Sequence, residues 1–419
     1  MVAPTIISRA DHPISRSEID PDALKVLYRL QKFHHTAYLV GGGVRDLLLE
    51  RHPKDFDIGT SAHPNEVKRI FRNCWIIGRR FRLAHVKFGQ KTIEVATFRR
   101  QVPQDAEPAP ADTSRGETPP RVGLSQRLIR RDNTFGTPEE DAFRRDFTIN
   151  ALFYDISTFT IIDYVGGMED LQNGLIRCIG NPNERFIEDS VRMLRAIALG
   201  ARLGFRIDTP VHDAIARHHA EIANASPARM IEEVYKILRS GVSADTFRAL
   251  SKTSLLKHIA PEIDRRKSAA LWHSLEQLDL YRQHFKSAPE CLTNAVLLGS
   301  LVAPSQKIDL QPRQRTAERS KAHSGITLGK LPVARRDVER LRQLLALQPR
   351  LLNPDLPPRT QRTLLQRGAF ADALTWLEIN GTDQDALKRW RGLVARGGPI
   401  ARDRGRPRRR RGQRRSTQS

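Results

Sequence analysis

The sequence predicts an α+β fold: one mixed sheet early in the chain, then a mostly helical remainder. Three observations carry this. Over the first hundred residues, short apolar runs bounded by glycines and charges alternate with segments of helical spacing. Two further strand-like runs, 147–155 and 160–164, follow a long interruption. From about residue 183 the apolar spacing is helical.

In chain order, residues 21–32 place Leu24, Leu27 and Leu30 at helical spacing, and Glu18, Asp20 and Asp22 suit a helix start. Tyr38-Leu39-Val40 reads as a short strand running into Gly41-Gly42-Gly43, and residues 44–49 as a helix. Phe56 and Ile58 mark a strand, and residues 65–72 a helix. Residues 85–88 and 92–98 read as strands joined by a turn at Gly89-Gln90. Residues 101–136 are rich in Pro, Ala, Asp, Arg and Gly and read as an insertion loop. After the two later strands, Gly166-Gly167 punctuates the chain. Phe186, Val191, Leu194 and Leu199 mark one helix, and Met230, Val234, Ile237 and Leu238 another. Residues 303–330 are basic and weakly periodic, and helices resume over 335–347 and 361–379.

At 419 residues, with 39% hydrophobic and 28% charged, the chain suits two or three folded domains rather than disorder. It has no run of about 18 apolar residues, so no spanning helix is expected. The first twenty residues, broken by Pro4 and Pro13, lack the apolar core of a signal peptide. Cys74, Cys178 and Cys291 are far apart and odd in number, which argues against a disulfide framework or a zinc site and for a reducing cytoplasm. The formal charge of +23 suggests a polyanionic partner. Nine arginines and one aspartate between residues 401 and 415 carry +8, leaving +15 on the rest.

Chemistry is written first in Gly41-Gly42-Gly43-Val44-Arg45-Asp46, followed by Asp55-Phe56-Asp57. Glycines between a strand and a helix let backbone N–H groups approach a phosphate. On a strand, Asp55 and Asp57 share a face while Phe56 packs inward. Two adjacent carboxylates repel unless a cation sits between them. Mg²⁺ answers that need with hard oxygen ligands, and two such ions serve in-line phosphoryl transfer. A third carboxylate has two candidates: Glu94, polar between Ile93 and Val95, and Asp146, set among Arg144, Arg145, Thr148 and Asn150. On a helix, Asp189, Arg192 and either Arg195 or Ala196 would fall on one face.

The segments LVGGGVRDLLL, KDFDIGT, GRRFRLAHV, IEVATFR, EEDAFRRDFTINAL, DYVGGMEDL, RFIEDSVRMLRA and PARMIEEVYKIL run in this order over about residues 14–241. In them the sequence resembles the class II tRNA nucleotidyltransferase and bacterial poly(A) polymerase family, of the polymerase-β-like nucleotidyltransferase superfamily. The resemblance implies a nucleotidyltransferase head on a mostly helical neck and body. Its layout would be an N-terminal extension (1–36), the head (37–180, with the 101–136 insertion), a base-reading neck (181–242), a helical RNA-binding body (243–400) and a disordered arginine-rich tail (401–419). It also implies roles. Gly42 and Arg45 would hold the triphosphate, and Asp55 and Asp57 two Mg²⁺ ions. Asp146, with Arg145 and Asn150, would face the ribose or the catalytic centre. Asp189 and Arg192, with Arg195 beside them, would read the incoming base. ATP is the implied substrate and RNA 3′ ends the implied partner. Adenine and cytosine both satisfy the Asp189/Arg192 pair, so CCA addition to tRNA stays open beside polyadenylation. A basic RNA-binding factor with an inactive head is the reading from another class. The 76–86 segment resembles the poly(A) polymerase branch. Ser190 stands where the family usually has proline.

Overall fold

The computed structural model describes residues 3–78, 82–100, 134–304, 328–381 and 383–396. The expectations for residues 79–81, for most of the 101–136 insertion and the 303–330 stretch, and for the 401–419 tail lie outside the described residues. The chain divides into two units: residues 1–225 with 248–258, and residues 226–247 with 259–419.

The first unit runs β1 (Thr5–Ile7), α1 (Pro21–Lys32), β2 (Ala37–Val40), α2 (Gly42–Leu48), β3 (Asp57–Thr60), α3 (Pro64–Ile70), β4 (Cys74–Ile77), β5 (Leu83–Phe88) and β6 (Lys91–Thr97). It continues with α4 (Pro138–Phe143), β7 (Leu152–Asp155), β8 (Thr160–Asp163), α5 (Gly167–Gln172), β9 (Leu175–Ile176), α6 (Pro182–Glu188), α7 (Val191–Leu203), β10 (Arg206–Ile207) and α8 (Thr209–His218). Eight strands form one mixed sheet in the order β1-β8-β7-β2-β3-β6-β5-β4. All its pairings are antiparallel except β3 with β6. The residues ahead of Ala37 supply this sheet with an edge strand, Ile6 lying opposite Ile162, and with a covering helix.

Helix α1 starts where its sequence says. Asp20 accepts from the Asp22 and Ala23 N–H groups at 2.8 and 3.3 Å, and Pro21 opens the first turn. Its stripe of Ala23, Val26, Leu27 and Leu30 is buried, and α1 and α3 pack on one face of the β2–β6 region. Strand alternation fits: Ile93, Val95 and Thr97 of β6 are buried, while Thr92, Glu94 and Ala96, alternating with them, are not. The other face of β4, β5 and β6, which carries Trp75, Ile77, Lys87 and Glu94, is the exposed one.

The structure corrects several expectations. Strand β3 begins at Asp57, so Asp55 lies in the preceding loop. Strand β4 is an addition, since its four residues carry no alternation long enough to read. The 147–155 run is a 3₁₀ turn over Thr148–Asn150 and a strand only from Leu152. Local side-chain bonds bend it: Thr148 donates to Asp170 at 2.6 Å, and Asn150 to Asp146 at 3.2 Å. The single helix expected across residues 186–199 is two, because Asp189 is extended (φ −148°, ψ 92°) and its carboxylate accepts from the Val191 N–H at 3.3 Å. The 361–379 segment is likewise two helices, Pro358–Leu365 and Phe370–Asn380.

The second unit is helical. Helix Asn294–Val302 is buried from its second residue to its last, and Ala269–Gln283, Arg335–Leu352 and Phe370–Asn380 pack around it. A Cβ at Gly299 would meet the Trp376 indole at 2.8 Å, so the closeness of these helices depends on glycine there. Among the described residues, no helix is long and apolar enough to cross a membrane.

Candidate active site

Strand β2 delivers the chain into Gly41, held at φ 73° and ψ −141°, where a side chain would be strained. A Cβ at Gly41 would stand 3.3 Å from the Arg145 guanidinium, and one at Gly42 3.2 Å from that of Arg45. The glycine turn therefore makes room for two arginines.

These two arginines are placed differently. Arg45 is almost wholly buried, donates to Asp46 at 2.8 and 2.6 Å, and bonds the Asn150 side-chain oxygen. In this arrangement the Arg45 charge is matched by Asp46, and its bonds to Asp46 and Asn150 brace the turn from within. Arg145 donates to Asp141 at 3.1 and 2.8 Å and to the Asn150 carbonyl at 3.2 Å, and lies 5.2 Å from the Phe153 ring centroid. It keeps about a fifth of its side chain exposed beside Gly41.

Asp146 and Asn150 join this lattice to α7. Arg195 donates to the Asp146 carboxylate at 2.8 and 2.7 Å, and Asn150 links Asp146 to Arg45. Burial pushes the Asp146 carboxyl up, but the Arg195 charge and the bonds from Asn150, Arg195 and the Phe147 N–H outweigh it, and the group sits below the usual carboxylate range. Asp146 is thus held ionised and bonded to Arg195 and Asn150.

The carboxylates that do crowd one another are Asp57, Glu94 and Asp55. The parallel register sets Ile58 opposite Val95, which brings Asp57 beside Glu94 on the same sheet face. Although solvent reaches part of Asp57, burial of its carboxyl first, then the charges of Glu94 and Asp55, push it up to about 6, with Arg145 pulling partly back. Asp55 is exposed, with Lys54 at 3.6 Å. His85 stands 3.6 Å from Glu94. Of the two candidates for a third carboxylate, Glu94 is the one that meets the aspartates. Among the described residues, no three His, Cys, Asp or Glu side chains form a ready-made metal cage. The crowding is nonetheless an anionic donor set of the kind a hard cation relieves.

The Asp189/Arg192 pair is not the same-face helical pair expected, because Asp189 caps the break ahead of α7. Arg192 donates to Glu188 at 3.1 Å and to the Arg185 carbonyl at 3.2 Å. Arg185, not singled out in the sequence, is a principal fastener. It is buried, donates to the Arg144 and Arg145 carbonyls at 2.7 and 2.6 Å, and to Glu188 at 2.9 Å. Asp141 is a second such residue. Burial raises its carboxyl, but Arg145 and Arg144 overcome this and hold it below the usual range. The sequence carries signals for both as i,i+3 and i,i+4 acid–arginine spacings, 141/144/145 and 185/188/192.

Residues 37–177 match the family model described as "Poly A polymerase head domain", and residues 204–267 the one described as "Probable RNA and SrmB-binding site of polymerase A". Poly(A) polymerase I of Salmonella typhi is 50% identical over 261 residues, 62% of this chain and 54% of that protein. The CCA-adding enzyme of Bacillus velezensis is 35% identical over 237 residues, 57% of this chain and 55% of that protein. The chain spans about half the length of the curated relatives it matches. Among solved structures, the Bacillus stearothermophilus CCA-adding enzyme in complex with CTP superposes with a TM-score of 0.61 at 25% identity, covering 90% of this chain and 83% of that one. The Thermotoga maritima CCA-adding enzyme complexed with tRNA shares the fold, with a TM-score of 0.52 at 20% identity over 94% of this chain and 86% of that one. The fold is the α+β one expected, a nucleotidyltransferase head with helical parts after it.

Proposed function

The chain belongs to the bacterial poly(A) polymerase and tRNA nucleotidyltransferase family, and from that we propose that it is a template-independent polynucleotide adenylyltransferase. It would add AMP from ATP to RNA 3′ ends, as in mRNA polyadenylation and RNA turnover, in the cytoplasm. The observation that carries the reading is the Asp55, Asp57 and Glu94 crowding, one strand away from an arginine-lined glycine turn.

The RNA 3′-hydroxyl would attack the α-phosphorus of ATP, forming the new P–O bond as the bond to pyrophosphate breaks. Asp55, Asp57 and Glu94 would hold divalent cations, two Mg²⁺ in this reading, which when bound lower the pKa of the attacking hydroxyl and neutralise the triphosphate. An incomplete cage suits this, because Mg²⁺ commonly takes one or two carboxylates and completes its shell with substrate phosphates and water. Arg145, beside Gly41, would meet the triphosphate. Arg45, Asn150, Asp146 and Arg195 would hold Arg145 and the turn in register. Adenine would donate a hydrogen bond from its N6 amino group to Asp189 and accept one at N1 from Arg192, which must first leave Glu188.

CCA addition is the second reading, favoured by the CCA-adding relatives and by cytosine fitting the same pair. The test incubates the protein with each nucleoside triphosphate alone and in combination. One acceptor is an unstructured RNA, the other a tRNA lacking its CCA end. Long extension of the unstructured RNA with ATP alone is expected. Addition that stops after two C and one A, and only on tRNA, installs the second reading. RNA binding without transfer of any nucleotide leaves a non-catalytic RNA-binding protein.

A further inference from the structure

Resting on that reading, we propose that the open face of β6, β5 and β4 is the path of the RNA's 3′-terminal nucleotides, with Trp75 stacking a base and Lys87 meeting a phosphate. The sheet register makes this face continuous with the carboxylates. Trp75 lies opposite His85, His85 opposite Glu94, and the β3–β6 pairing sets Asp57 beside Glu94. Side chains one strand apart in a row share a face, so Trp75, His85, Glu94 and Asp57 form one line across the sheet. Three strand spacings put Trp75 about 14 Å from Asp57, the reach of a few nucleotides.

The far end of the line is built for a base and a phosphate. Trp75 is 52% exposed and Ile77 49%, although residues on the opposite face of the same strands, Cys74, Ala84, Val86 and Ile93, are buried. The Lys87 ammonium lies 5.3 Å from the Trp75 ring centroid. An exposed aromatic ring with a cation over it joins the two elements, stacking platform and positive charge, that bind single strands without regard to sequence. A protein partner could also use the apolar surface. RNA is favoured by Lys87, by the chain's charge of +23, and by continuity with the carboxylates. Strand order supplies the direction. The glycine turn follows β2, with Arg145 beside it, on the other side of β3 from β6. Triphosphate and RNA then approach Asp57 from opposite sides, as in-line displacement requires of leaving group and nucleophile.

The test titrates the full chain with an unstructured oligoadenylate at high salt, which screens the arginine-rich tail, and reads anisotropy and tryptophan fluorescence. Part of the emission of the four tryptophans should be quenched on binding. Trp75→Phe should lose that part and keep most of the affinity. Trp75→Ala should weaken binding about fivefold or more, the loss of one stacked base, and Lys87→Ala should flatten the salt dependence. Equal quenching in Trp75→Phe, or unchanged affinity in Trp75→Ala, overturns the proposal even if AMP transfer is found. Loss of quenching and affinity in a chain that transfers no nucleotide upholds this face and instead removes the catalytic reading.

Discussion

Asp57 carries a folded pKa of about 6 against an ordinary 3.8. A carboxyl raised in this way contributes stability that is fully present below 3.8 and is lost as pH rises through about 6. In chelator, Asp57→Asn should therefore melt above the parent at pH 7 and converge with it near pH 4. Added Mg²⁺ should raise the melting temperature of the parent and not of the variant. Thermal melts across that range check both, and a variant that follows the parent's pH profile would show that Asp57 is not the strained group. Asp146 behaves in the opposite sense, because Arg195 supports its charge. Arg195→Ala leaves a buried carboxylate without its main cation and should cost about 1–3 kcal/mol, discounted because Arg195 is itself partly exposed. Urea unfolding measures this. Asp146→Asn placed on top of it should recover part of the loss.

The turn and the helix break are the elements that set the site. Gly41→Ala puts a side chain on a backbone that only glycine takes without strain, of order 1–3 kcal/mol, and pushes on Arg145. It should lower stability and raise the KM for ATP together, seen in melts and steady-state kinetics. The break between α6 and α7 predicts the reverse. Ser190 has φ −64°, its N–H donates to no backbone carbonyl among the described residues, and Asp189 before it is extended. Proline fits all three conditions. Ser190→Pro should gain about 0.4–1 kcal/mol by restricting the unfolded chain, and a loss in urea unfolding would mean that the break relies on the serine.

At the scale of the whole molecule, the proposed encounter with RNA would be governed by charge. Removing residues 401–419 takes away nine arginines. The slope of log affinity against log salt should flatten by up to about 0.7 for each phosphate of a single strand that the tail no longer neutralises, with little dependence on RNA sequence. An unchanged slope would mean that the tail does not touch the RNA. Nucleotide transfer at saturating RNA should persist, since the carboxylates belong to the first unit.

Much is legible in the sequence because it is local. Period and capping place α1 between Asp20 and Lys32, alternation places β5 and β6, and glycine between strand and helix marks the turn at Gly41. The Asp-Phe-Asp spacing announces a carboxylate pair, although only Asp57 of the two lies on the strand. The choice between Glu94 and Asp146 cannot be read that way, since it depends on β3 pairing in parallel with a strand more than thirty residues away and on Arg195 reaching back to Asp146. The same holds for Arg45, whose burial beside Asn150 and Asp46 no motif announces. Spacing along the chain determines which residues share a face of their own element. Which charges then meet, and so which carboxylate is raised and which is lowered, is decided by the sheet register and the helix break, because electrostatic shifts follow distance in space.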